Sequence, residues 1–318
     1  MGLTREDLIG EMSDEERASR QAWIDRTSSN DLWAKKIFNE VGILMTGHQG
    51  NRSFMKACIE SHAKLGLWIT MAYDSYIDPQ ASNGNLSPSW QKVDHNSYMP
   101  PKDVMDLVDT FIMPHHQVWG GPLYPYFWLL KFGAAAMQNF KYIYCTNTDF
   151  VLEKPEGFWE LFRMVKDGDY DIMTCGHDEP GKYANTAGFI IKSEAFLKVV
   201  QHMQDHFIPF EVYEKYTHQI GNAEGRFGVA IHDLGLKQLI VEPPEDDMLR
   251  MTGYGTWWKL MGFRHTHAEL NYAYRRRKIP PPLKYLDERF LSSNDLEWIK
   301  KYEETNDIAV LENWWAKD

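Results

Sequence analysis

Cysteine, long apolar runs and positive charge are all scarce in this chain of 318 residues. Its three cysteines, Cys58, Cys145 and Cys175, are far apart and form no Cys-x-x-Cys pair. They read as buried thiols of a reducing compartment rather than as a disulfide framework. No stretch approaches the roughly 18 apolar residues needed to cross a bilayer, and the acidic amino terminus has no apolar signal-peptide core. A cytoplasmic location is therefore expected. The net charge of -11 and pI near 5.6 argue against a general nucleic-acid coat, which needs a basic surface to release counterions. The one basic run, Arg275, Arg276, Arg277 and Lys278, reads as a solvated surface segment. Neither a G-x-G-x-x-G nor a Walker A lysine motif occurs, so a dinucleotide fold and a P-loop have no support.

Hydrophobic residues at 43% and charged residues at 25% are ordinary globular values, and the length suffices for a large core. Aromatic content is high, with 12 Trp and 16 Tyr, residues that fill cores and also line surfaces on which sugars or bases stack.

Residues 1–40 look helical, with a capping box at Ser13 and Glu16, and read as a packing extension. An α/β pattern then begins. A strand over 41–46, a loop over 47–51, a helix over 54–65 stopped by Gly66 and a strand over 67–73 ending at Asp74 form a β-loop-α-β unit. Residues 77–102, rich in Pro, Ser and Asn, read as a long surface excursion. A strand over 110–113 and a helix over 124–139 follow, and Lys131 on that helix is a candidate to reach a diphosphate. Further on come an amphipathic helix with Phe158, Leu161, Phe162 and Val165, a strand over 172–175, a helix over 193–206 and a strand over 236–241.

The most informative stretch is 141–155. An apolar run, Tyr142, Ile143, Tyr144 and Cys145, ends abruptly in Asn147, Thr148 and Asp149, and a second apolar segment closes on Pro155. Such a run suits a buried parallel strand whose carboxyl end opens into a ligand crevice. A carboxylate there can hold a divalent cation against a diphosphate. Taken locally, the same residues also suit a strand followed by an Asx-type turn.

The order of apolar strand, D-x-D, short apolar segment and Pro resembles the nucleotide-sugar-dependent glycosyltransferases of GT-A fold. Asn147-Thr148-Asp149 stands in the D-x-D place, with Asn in place of the first acid. The resemblance implies an α/β, Rossmann-like, mixed and mostly parallel sheet flanked by helices, in a catalytic domain over 41–270. Helical extensions are expected at 1–40 and 271–318. It also implies that Asp149 is a metal ligand and that Asn147 bonds a ribose or sugar hydroxyl. Thr46, Gly47 and Asp74 become nucleotide-binding candidates.

Gly188, in Asn185-Thr186-Ala187-Gly188, matches a turn of small residues beneath the donor sugar, where backbone approaches the ligand closely. Glu224 falls where the family carries an acceptor-side acid and, in an inverting transfer, is the candidate general base; Glu224 or Asp247 is the catalytic acid facing the acceptor. His265 and His267 match the carboxyl-terminal histidine of the metal site, with Mn²⁺ or Mg²⁺ as the implied cofactor. Trp257 and Trp258, among glycines, suggest a lid over sugar or acceptor.

The expected activity is transfer of a sugar from a nucleoside diphosphate, UDP first, to an acceptor hydroxyl. The acceptor is a glycan by default or a hydroxymethylated base in DNA. Two alternatives stand beside it. A nucleotidyltransferase on a similar sheet would want a basic Gly-rich loop after the first strand, where only Arg52 is offered. A catalytically silent carbohydrate- or nucleic-acid-binding module would tolerate Asn147 and Gly225.

Overall fold

The computed structural model describes residues 36, 39–48, 51–74, 99–113, 124–176, 184–206, 223–241, 261, 263–265, 283–307 and 309–310. The chain divides into two compact units, Met1–Asn39 and Glu40–Asp318. Nearly all described residues belong to the second.

Its elements are, in order, β1 (Val41–His48), α1 (Arg52–Ala63), β2 (Ile69–Asp74), α2 (Lys102–Met105), β3 (Thr110–Ile112), α3 (Tyr124–Ala136), β4 (Tyr142–Asn147) and β5 (Phe150–Leu152). Then follow α4 (Glu156–Asp167), β6 (Ile172–Gly176), β7 (Ala184–Lys192), α5 (Ser193–Asp205), α6 (Ala223–Asp233), β8 (Gln238–Val241) and β9 (Phe263–His265). Two 3₁₀ turns, Leu283–Tyr285 and Glu288–Phe290, precede α7 (Ser293–Thr305).

Seven strands form one sheet in the order β3-β2-β1-β4-β7-β6-β8. All run parallel except β7, which is antiparallel to both β4 and β6. This is the mixed, mostly parallel α/β sheet expected from the sequence. Its central strands are buried on both faces, so they are near-continuous apolar runs rather than alternating ones. The alternation survives as a division between two cores. Ile43, Met45, Tyr142 and Tyr144 face a core with Phe54 and Cys58 of α1 and Phe158 and Leu161 of α4. Leu44, Ile143 and Cys145 face another with Leu130 of α3, Phe196 of α5 and Phe227 of α6. α3 lies close on β1 because Gly133 has no side chain: a Cβ there would come within 2.4 Å of Leu44 Cδ2.

Several boundaries differ from the sequence reading: α1 spans Arg52–Ala63 rather than 54–65, β2 starts at Ile69 rather than 67 and β8 at Gln238 rather than 236. β1 runs on to His48 instead of ending at Thr46, because Gly47 and His48 continue the parallel ladder with Tyr73 and Asp74. Residues 184–188 belong to strand β7 rather than to a turn, since Gly188 pairs with Thr146 and Ala184 with Gly176. The helix expected over 124–139 stops at Ala136. A further feature was not foreseen: β5 and β9 form a separate two-stranded antiparallel sheet.

Helix α7 starts with a full capping box. Asp295 N–H donates to Ser292 Oγ at 3.1 Å, and Ser292 N–H donates to Asp295 Oδ2 at 2.8 Å. Its Tyr302 is buried in the same core as α1 and α4, with Trp298 and Ile299 packed against it. The first 3₁₀ turn lies at the end of β5, where Tyr285 Oη donates to Glu153 Oε1 at 2.5 Å.

Candidate functional site

From β1 the chain builds outward through β2 and β3 on one side, then returns to place β4 on the other. Connections therefore leave the carboxyl ends of β1 and β4 in opposite directions, and the crevice of an open α/β sheet forms at such a switch point. Thr46 of β1 and Asn147 of β4 are register partners there. Thr46, 2% exposed, donates its hydroxyl to Asn147 Oδ1 at 2.5 Å. His48 and Asp74 are partners across the same edge one strand over.

The α3, α5 and α6 face also carries Glu224, in the first turn of α6. One turn later Phe227 packs against Phe189 with the rings tilted and their centroids 4.7 Å apart, and Phe189 lies level with Cys145. From there the chain runs to β8, whose Gln238 pairs with Ile172 at the opposite edge. The backbone of Glu224 is thus one turn nearer the crevice than Phe227.

Beyond Asn147 the chain folds over the end of β1 to the other face. Thr148 N–H donates to the Thr46 carbonyl at 2.9 Å. Its side chain fills the space above Gly47, where a Cβ would meet Thr148 Cγ2 at 2.7 Å and Oγ1 at 2.8 Å. Asp149 follows, only 5% exposed. Its charge bears on α1: burial, and after it the Asp149 carboxylate, push the Cys58 thiol well above its ordinary pKa. The Asn-Thr-Asp stretch therefore straddles the sheet edge, Asn147 on one face and Asp149 on the other.

Beneath Asp149, α1 carries a polar cluster inside its apolar stripe. Ser61 Oγ donates to the Cys58 carbonyl at 2.7 Å and accepts from the Leu152 amide of β5 at 3.0 Å. His62 Nδ1 lies 2.8 Å from the same carbonyl and Nε2 lies 3.2 Å from Tyr144 Oη. Burial lowers the His62 pKa to about 4, so the ring is neutral near pH 7. A carbonyl only accepts, which puts the proton on Nδ1 and makes Nε2 the acceptor from Tyr144. Thr146 Oγ1 and Thr148 Oγ1 are buried at the same turn with no hydrogen-bond partner among the described residues.

The β5–β9 ribbon returns the distant chain to this turn. Phe150, the residue after Asp149, pairs with His265. Gly188 pairs with Thr146 and is buried within the sheet. Lys131 donates across the antiparallel α3–α5 pair to Gln204. Asp247, Trp257, Trp258 and His267 lie outside the described residues.

Among the described residues no three His, Cys, Asp or Glu side chains are grouped as a metal cage. A divalent cation carried by a diphosphate needs fewer, since phosphate oxygens and water fill most of its shell. The buried carboxylate of Asp149 and the adjacent backbone of His265 are compatible with that smaller demand. Among the same residues no helix is long and apolar enough to cross a membrane.

Sequence reasoning missed Ser61, His62 and Thr148. The signal for the first two was present. Phe54, Cys58, Ser61 and His62 share the inward stripe of α1, and polar residues on a buried stripe must be satisfied by a specific partner.

No protein-family model matches the chain, and no curated protein sequence matches it. Among solved structures, mouse xyloside xylosyltransferase 1 in its apo form superposes with a TM-score of 0.40 at 10% identity, over 70% of this chain and 93% of that one. The apo structure of the bifunctional glycosyltransferase WbbM superposes with a TM-score of 0.33 at 10% identity, over 52% of this chain and 34% of its own length. At so low an identity and so loose a superposition, neither speaks to what this chain acts on.

Proposed function

We propose that this protein is a glycosyltransferase that moves a sugar from a nucleoside diphosphate, UDP first among the candidates, to an acceptor hydroxyl. The observation that carries the reading is the juxtaposition at the β1/β4 switch point. The Thr46–Asn147 hydrogen bond, the buried Asp149 and the β9 strand bearing His265 all meet at one sheet edge.

A donor laid across that edge spans both faces. On one side Thr46 and Asn147 offer hydroxyl and carboxamide to ribose or sugar oxygens, with Asp74 one strand away for the nucleoside. Gly188 pairs with Thr146, one position below Asn147, and has no side chain to hold a donor sugar away from the backbone of β7. On the other side Asp149, with His265 or His267, would hold Mn²⁺ or Mg²⁺ against the diphosphate. When bound, that ion offsets the negative charge gathering on the leaving diphosphate.

In the transfer itself the acceptor oxygen attacks the anomeric carbon. The bond from that carbon to the diphosphate oxygen breaks, and its electron pair leaves with the diphosphate. Glu224, or Asp247, takes the acceptor's proton, a task a carboxylate performs when within hydrogen-bond reach of the hydroxyl. A glycan is the acceptor of first choice, and a hydroxymethylated base in duplex DNA is the second.

The test is release of nucleoside diphosphate from a panel of UDP-, GDP- and dTDP-sugars with and without Mn²⁺, by the wild type and by Asp149→Asn. Metal-dependent release from one donor, reduced by about 10²-fold or more in the variant, is the expected result. No release from any donor, with no calorimetric binding of a nucleotide, overturns the reading. Glycan and hydroxymethylated duplex are then compared as acceptors by transfer of the identified sugar.

A further inference from the structure

We infer that Ser61 is a positioning residue, the clamp that holds the Asp149 turn and the β5–β9 ribbon in register with α1. The inference rests on the glycosyltransferase reading for its catalytic consequence, though not for its geometry.

β5 has only three residues and pairs on one side with β9, itself of three. A two-stranded ribbon of this length is not stable by itself in water. Its other edge is turned to α1, where Leu152 is 1% exposed and its amide would lack a partner without the Ser61 hydroxyl at 3.0 Å. Ser61 is 4% exposed, and its own proton is held on the Cys58 carbonyl, so its oxygen meets the Leu152 amide as an acceptor.

α1 is held in turn to β4 through His62 and Tyr144, and at its start to the tail, where Asp287 N–H donates to the Ser53 carbonyl at 2.7 Å. Ser61 is thus the point at which this rigid helix sets the height of β5. β5 follows Asp149 directly and carries the pairing of Phe150 with His265. A shift of β5 moves Asp149 and His265 relative to Asn147, which belongs to the main sheet.

Three variants test this: Ser61→Ala, which deletes the acceptor; Ser61→Thr, which keeps it; and Ser61→Cys, which keeps the volume but accepts weakly and covers the case in which the alanine variant fails to fold. Amide exchange of Leu152 is read by NMR against core amides such as Ile43 and Ile143. In parallel, the Mn²⁺ concentration giving half-maximal donor release is measured, with KM and kcat for the donor. In Ser61→Ala or Ser61→Cys, Leu152 exchange should speed up about tenfold or more while the core amides hold, as expected for loss of one buried bond. Half-saturating Mn²⁺ and donor KM should rise severalfold with a smaller change in kcat, and Ser61→Thr should restore all three.

Unchanged Leu152 exchange, or acceleration shared equally by the core amides, overturns the clamp. Selective acceleration with unaltered metal and donor saturation overturns its catalytic role. Should the wild type release no diphosphate from any donor, the glycosyltransferase reading fails alone, because the exchange measurement needs no activity.

Discussion

Gly47→Ala is the sharpest test of how the turn sits on β1. The added Cβ would lie 2.7 Å from Thr148 Cγ2, 2.8 Å from Thr148 Oγ1 and 3.1 Å from Met71 Cε. Carbon atoms rest at about 3.5–4.0 Å, so Thr148 must retreat by about 1 Å. Its freedom is small, since its amide is bonded to the Thr46 carbonyl at 2.9 Å and its side chain is fully buried. Overpacking of this kind costs about 1–3 kcal/mol. For a domain of this size that is a fall in Tm of about 2–4 °C per kcal/mol.

Thr148→Ala removes both of the nearer atoms. Its hydroxyl has no hydrogen-bond partner among the described residues, so the loss there is mainly one buried methyl, about 1 kcal/mol. The pair should therefore be strongly non-additive: in Gly47→Ala/Thr148→Ala the added methyl occupies the emptied space and recovers about 1–2 kcal/mol of the summed losses. Urea denaturation of the wild type, both single variants and the double variant measures this directly. A coupling energy within about 0.3 kcal/mol of zero would refute the packing of Thr148 on Gly47.

Acid should destabilise the fold through His62. Its pKa falls from 6.5 to about 4 on folding, so the unfolded chain binds the extra proton between those values and stability declines as pH falls through that window. The loss amounts to about 3 kcal/mol in all, and His62→Gln should flatten the slope of unfolding free energy between pH 6.5 and 4 whatever its effect at pH 7. Asn147→Asp keeps an acceptor for the Thr46 hydroxyl at 2.5 Å but removes the amide donor on the ribose-facing side, and should raise the donor KM by about tenfold, equivalent to about 1.4 kcal/mol, with the Mn²⁺ concentration for half-maximal release unchanged; a shifted metal titration would count against Asn147 lying away from the metal. Ser292→Ala removes the cap of α7 and should cost about 1 kcal/mol by thermal unfolding in a single transition with the rest of Glu40–Asp318.

Much of this architecture is local and was legible in the chain. The apolar runs over 41–46 and 142–145, the amphipathic stripe of Phe158, Leu161, Phe162 and Val165, and the stop at Gly66, which takes φ +67, follow from side-chain period and backbone preference. A small polar triplet after an apolar strand also marked Asn147–Asp149 as a strand end before any fold was known.

Partnership was not legible, because pairing is decided by which faces can be buried together rather than by the propensity of either segment. Nothing near Gly188 announces that β7 runs antiparallel between β4 and β6, and nothing near Phe150 announces His265. Gly47 read as turn chemistry; the close approach of Thr148 is what requires it, and that contact exists only once β4 lies beside β1. The straddling of the sheet edge by Asn147 and Asp149 and the reach of Ser61 to Leu152 are likewise properties of the folded sheet and helix together. The sequence determined which residues stand at strand ends with chemistry to offer, and the tertiary structure alone decided which of them share an edge.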